Sequence, residues 1–311
     1  MTVNILEDLS WNRALELAKV NLDPQPALVR LIRSAWTCTT ENHDLNRMIQ
    51  AASVPPLALI QAAKNFTPGL DTIEHATNTL GIKGTATVAA ICFTCDSINR
   101  RCTSERSKSA ITQHIIDTIE IGYHFGLSAE SIGPETGILL GFAQSLGPAL
   151  VLASTDSGLN ETRAIIDDCR APEEYISQFG CEPYQVASMA LQRLGFGPAV
   201  SSAAVMALGN LNHQPISSDP SFLSWWAASE WIAALARGSL APKRKSSADQ
   251  FPDLLNKLPP DQEPPLHLKA LYGSIESVRA KHSTWAWHLV EPSGQPQKPP
   301  DPAAQQTTTP A

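Results

Sequence analysis

The stretch from Gly137 to Ala153, GILLGFAQSLGPALVLA, constrains the fold more than any other part of this 311-residue chain. It is apolar with helical spacing, and its only polar side chains are the neighbours Gln144 and Ser145. Interrupted by that pair and by Pro148, it falls short of the roughly 18 uninterrupted apolar residues that a membrane span needs. It therefore reads as a core helix. Two adjacent polar residues in such a helix either satisfy each other and the backbone, or they mark a site.

The rest of the chain repeats the helical pattern. Apolar residues recur at three and four positions over Leu6–Ala18, Pro26–Ala35, His43–Ala52 and Pro55–Phe66. Asp71-Thr72-Ile73-Glu74 is a capping-box type of start and Gly81 a natural stop. The β-branched run Thr85 to Thr94 has no partner strand nearby, and Val88, Ala89, Cys92 and Phe93 share a helical face, so helix is preferred. Further helices are expected over Ser109–Phe125 (closed by Gly126), Pro134–Ala153, Asn160–Cys169, Pro172–Gly180, Pro183–Leu194 and Pro198–Leu208. The Trp-rich helix Ser221–Arg237 follows Asp219-Pro220 and ends at Gly238. No hairpin signal stands out. The body is all-α, a multi-helix bundle.

After Gly238 the composition shifts. Half of the 24 prolines lie from Pro242 onward, beside the basic run Lys243-Arg244-Lys245. Residues 1–240 therefore form the helical domain. Residues 241–290 are a linker with one helix near Pro265–His288, striped by Leu268, Leu271, Ile275 and Val278. Residues 291–311, rich in Pro, Gln and Thr, are expected to be a disordered tail. A formal net charge of -7 argues against a nucleic-acid partner. No secretory signal or membrane segment is legible, and the six cysteines look like reduced core thiols, so a cytoplasmic protein is expected.

Read in order, the helices resemble the HDOD family (HD-related output domain) of bacterial signalling proteins, over about Leu9 to Gly238. Asn21 to Trp36, NLDPQPALVRLIRSAW, is similar to the family's opening element. In Ala62 to Cys92, the residues Thr72, Ile73, Ala76, Leu80 and Gly81 fall on its Ser-Ile-x-x-Ala-Ile-x-x-Leu-Gly frame. His114 stands where the family often has a His, Gly141 to Gly147 where HD proteins read Gly-Leu-Leu-His-Asp-Ile-Gly, Asn212-His213 where a His-His pair is common, and Ala228-Ser229 where an Ala-Asp pair is common.

The resemblance implies a lost metal centre. HD phosphohydrolases use His and Asp ligands to hold one or two metals that activate water against a phosphoester. Here Gln144 replaces the His, Ser145 the first Asp and Ser229 the last Asp, which leaves His114 of the set. Amide and hydroxyl oxygens cannot supply the anionic charge that holds a divalent ion. No metal and no cofactor is expected. The resemblance implies a non-catalytic module that binds a protein partner in trans, with a link to cyclic-di-GMP signalling. The alternatives are a diverged metal-dependent phosphohydrolase and a sensor of a small nucleotide that does not hydrolyse it.

His114, Gln144, Ser145, His213 and Ser229 form the candidate vestigial pocket. The plainer reading of Gln144 and Ser145 is a polar pair hydrogen-bonded inside the bundle, and that of His114 a packed histidine. Trp225, Trp226 and Trp231 are the candidate interface, because exposed Trp anchors binding surfaces; the equal alternative is that a C-terminal helix covers them. Cys92-x-x-Cys95 lies inside an apolar helix without a second CxxC, so core thiols are preferred to a zinc site. The run Lys243-Arg244-Lys245 reads as solvated.

Overall fold

The computed structural model describes residues 5–37, 45–64, 67–102, 104–154, 172–205, 208, 220–255 and 266–281. These form α-helices and a short 3-10 turn, with no strand among them. In chain order the helices are α1 (Ile5–Asn21), α2 (Pro26–Thr37), α3 (Leu45–Ala51), α4 (Pro56–Lys64), α5 (Ile73–Arg101), α6 (Glu105–Ser128), α7 (Pro134–Ala153) and α8 (Pro172–Phe179). Then come α9 (Pro183–Leu194), α10 (Gly197–Val205), α11 (Pro220–Ala236), α12 (Lys245–Gln250), the 3-10 turn Pro252–Leu254 and α13 (Leu266–Lys281).

Two helices run through the centre. Gly84 to Cys92 of α5 is buried on every face, and in α7 all of Gly137 to Ala153 is buried except Gln144 and Pro148. Among the described residues α7 is the one helix long and apolar enough to cross a membrane, and the bundle itself encloses it. The β-branched stretch of α5 is helical because burial on all sides outweighs its weak helix propensity.

α6 and α7 pack antiparallel with their backbones almost in contact. A Cβ added to Gly122 would lie 2.1 Å from the carbonyl oxygen of Gly137, and one added to Gly126 2.3 Å from that of Gly133. A Cβ on Gly141 would lie 2.2 Å from the Thr118 oxygen. Glycine at four-residue intervals on both helices is what lets them approach this closely. Gly126 therefore does not close α6, as expected from sequence; the helix continues to Ser128. Gly81 does interrupt its helix, at φ 63°, but the chain resumes at once as the long second half of α5. Its cap is Thr72, whose hydroxyl accepts from the His75 amide, one position later than the capping-box reading.

The region after Gly238 is not a bare linker. Phe251, Leu254, Leu268, Leu271, Ile275 and Val278 are buried in the same core as the preceding helices. α13 lies along α6, and α12 along α11. The helix expected at Asn160–Cys169, the tail 291–311 and the end of the last helix toward His288 lie outside the described residues.

Candidate functional site

Gln144 and Ser145 leave α7 in different directions. Gln144 is half-buried and donates its side-chain amide to the backbone oxygen of Ser229 on α11 at 2.7 Å. Ser145 is fully buried, and its hydroxyl turns back to its own helix, donating to Phe142 O at 3.0 Å. The two do not satisfy each other. Pro148, which lacks an N–H, removes the helical donor that would otherwise meet the Gln144 carbonyl.

Ser229 is fully buried as well, and its hydroxyl donates to Ala204 O on α10 at 3.1 Å. Gln144, Ser229 and Ala204 thus tie α7, α11 and α10 together. His114 of α6 is half-buried, and burial pushes its imidazole down to about 4, so it is neutral at pH 7. The antiparallel pairing of Thr118 with Gly141, continued one turn, puts His114 level with Ser145. No hydrogen bond joins those two side chains. The fold thus brings His114, Gln144, Ser145 and Ser229 into one layer of the bundle, whereas His213 lies outside the described residues.

Of the described residues in this layer, the neutral His114 imidazole is the one good ligand for a divalent cation. Gln144, Ser145 and Ser229 are neutral, and each is engaged with a backbone carbonyl. Among the described residues no three His, Cys, Asp or Glu side chains converge as a metal-binding group. Cys92 and Cys95 are buried free thiols whose pKa values burial pushes up, that of Cys92 to about 12, which keeps them protonated and poor ligands.

The tryptophans are not a free surface. Trp231 is fully buried, and its indole N–H donates to Ser247 O at 2.9 Å; Trp226 is 5% exposed. Trp225 is half-buried edge-on to Trp36 of α2, with ring centroids 5.8 Å apart. What covers α11 is residues 244–255, where the Arg244 guanidinium sits 4.4 Å from the Trp226 ring centroid and pairs with buried Glu230 at 3.2 Å. The central residue of the basic run is therefore an internal partner and not a solvated charge. Sequence reasoning missed Glu230; its signal was a lone carboxylate in an otherwise apolar helix, Pro220–Ala236.

No family model matches the sequence, and no curated protein matches it. Solved structures do match the fold. A protein named "Putative phosphohydrolase" from Shewanella amazonensis SB2B superposes with a TM-score of 0.57 at 13% identity, over 89% of this chain and 98% of that one. An HDOD domain protein of unknown function from Geobacter sulfurreducens gives 0.52 at 10% identity, over 92% and 93%. A "Putative metal-dependent phosphohydrolase" from the same Shewanella gives 0.54 at 13% identity, over 88% and 99%. The chain has the fold these proteins share. At such identities the likeness speaks for architecture alone.

Proposed function

We propose that the chain is a non-catalytic regulatory module of HDOD type, acting in the bacterial cytoplasm by binding a partner protein in trans within a signalling pathway. The observation that carries this reading is the hydrogen bond from Gln144 to the Ser229 carbonyl. Positions that the resemblance matches to metal ligands of HD enzymes carry neutral side chains, and two of them, Gln144 and Ser229, join helices to one another. A net charge of -7 favours a protein partner over nucleic acid. Binding would act by favouring one conformation of that partner over another.

The rival reading, a diverged metal-dependent phosphohydrolase, draws on the names of two fold neighbours. Elemental analysis of protein purified without chelator, with a phosphodiester turnover assay, separates the two. The regulatory reading expects neither stoichiometric metal nor turnover. Stoichiometric manganese, iron or nickel, lost together with activity in His114→Ala, would overturn it. A cyclic-di-GMP sensor would instead show a concentration-dependent rise in melting midpoint without hydrolysis. For the interaction itself, a single protein captured from a bacterial lysate by the full chain supports the reading if it rebinds when purified. No rebinding counts against it.

A further inference from the structure

A cleft of about 400 Å³ opens where the start of α2, the α3–α4 turn and the last turns of α5 meet. None of its lining residues belongs to the Gln144 layer. The volume lies in the range of small-molecule sites. Leu28, Val54 and Cys92 give it a buried apolar floor, and half-exposed Phe93 adds an aromatic wall.

The polar residues narrow the ligand's chemistry. Asp96 and Arg100 are the charged groups of the lining, one turn apart on α5, and they pair with each other at 2.6 Å. Both side chains are largely exposed and their charges offset each other, so the lining carries no net charge and suits a neutral molecule. Asn99, also in the lining, has a buried amide oxygen with no hydrogen-bond donor. The terminal amide turns readily about its last side-chain bond, which can bring that oxygen to the cleft. It then offers an acceptor to the N–H edge of a nucleobase. At the lip, Ser53 is the one non-glycine residue with positive φ, 52°, among those described. It closes α3 through Ser53 N to Gln50 O and Val54 N to Ile49 O, and its exposed side chain stands at the cleft.

We propose that this cleft binds a neutral, flat heterocycle of the nucleobase class, presented as a nucleoside. The ring lies against Phe93 and Val54, its hydrogen-bonding edge meets Asn99, and the sugar faces Ser53. A phosphate adds little, because the Asp96 carboxylate beside Arg100 offsets the attraction of the guanidinium.

Ligand-observed NMR titrations of the full chain with adenosine, guanosine, cytidine, uridine and their 5′-monophosphates test this. The expected result is saturable binding of at least one nucleoside, with its monophosphate no tighter. Asn99→Leu weakens that binding by about tenfold or more. Ala52→Phe, which fills the cleft from the turn, abolishes it, and Gln144→Leu leaves it unchanged; circular dichroism verifies that each variant is folded. The proposal fails if no nucleoside saturates, if a monophosphate binds much more tightly than its nucleoside, or if both cleft variants bind like the parent. Because Gln144→Leu is the control, none of these outcomes bears on the metal question.

Discussion

Gln144 of α7 and Ser229 of α11 are 85 residues apart, and the amide of the first meets the backbone oxygen of the second at 2.7 Å. They meet through a neutral hydrogen bond that stabilises the packing of two helices. Gln144→Leu should cost roughly 1 kcal/mol, the net value of one such bond. Urea unfolding measures it, and an unchanged midpoint would mean that the contact is incidental.

Rebuilding the ligands probes the layer in the opposite sense. Ser145 and Ser229 are both 0% exposed, so Asp at either position places a carboxylate without a counter-charge in the core. Ser145→Asp with Ser229→Asp should destabilise by several kcal/mol. With Gln144→His added, manganese should restore part of that loss if the backbone lets the three new side chains and His114 converge on one ion. Melting the triple variant with and without the metal distinguishes a kept frame from a collapsed one.

The α6–α7 seam tolerates no side chain. Gly137→Ala would drive a methyl group toward the Gly122 carbonyl oxygen, 2.1 Å from the position of its Cβ. Separating the two central helices should cost about 3 kcal/mol or more. Gly273, with nothing within 4 Å of its Cβ direction, should gain slightly from Gly273→Ala, because alanine favours the helix. Similar losses for the two variants would refute the seam.

His114 links stability to pH. Its folded pKa, lowered by burial to about 4 from the ordinary 6.5, means that the unfolded chain takes up the proton first as pH falls. Stability held above pH 6.5 is therefore lost progressively between about 6.5 and 4, by at most roughly 3 kcal/mol given the side chain's residual exposure. His114→Gln should flatten that part of the stability profile. An unchanged slope between pH 7 and 4 would show that the imidazole is solvated.

Glu230 and Arg244 hold the segment after Gly238 in place. Arg244→Ala would leave a buried carboxylate whose Oε2 already lacks a partner, and should cost roughly 2 kcal/mol or more. Glu230→Gln in the same chain should recover much of that loss. Chains ending at residue 240 would uncover Trp231 and Phe125, which pack on Ser247 and Phe251, and should bind a hydrophobic dye or aggregate. A soluble, dye-silent 1–240 fragment would show that the segment is dispensable.

Much of the fold is legible residue by residue. α7 spans Pro134 to Ala153 and α9 Pro183 to Leu194, as the sequence indicates, because proline starts and apolar periodicity are local signals. The stripe Leu268, Leu271, Ile275 and Val278 is buried as its spacing implies. Gly126 reads as a helix stop because nothing in its own neighbourhood distinguishes a terminator from a residue left bare for a crossing helix. Arg244 reads as solvated because its partners, Glu230 and Trp226, lie on a different helix.

Periodicity, caps and turn residues report on a few neighbouring residues, so the sequence alone determined an all-helical chain with a buried α7 and a polar pair within it. It also determined that the side chains at 144, 145 and 229 are neutral, which is a matter of composition. Where those side chains point was decided by tertiary structure. Gln144 turns outward to α11, Ser145 inward to its own helix, and Ser229 to α10; the partners of Gln144 and Ser229 exist only once the helices have packed, and buried polar groups are usually hydrogen-bonded.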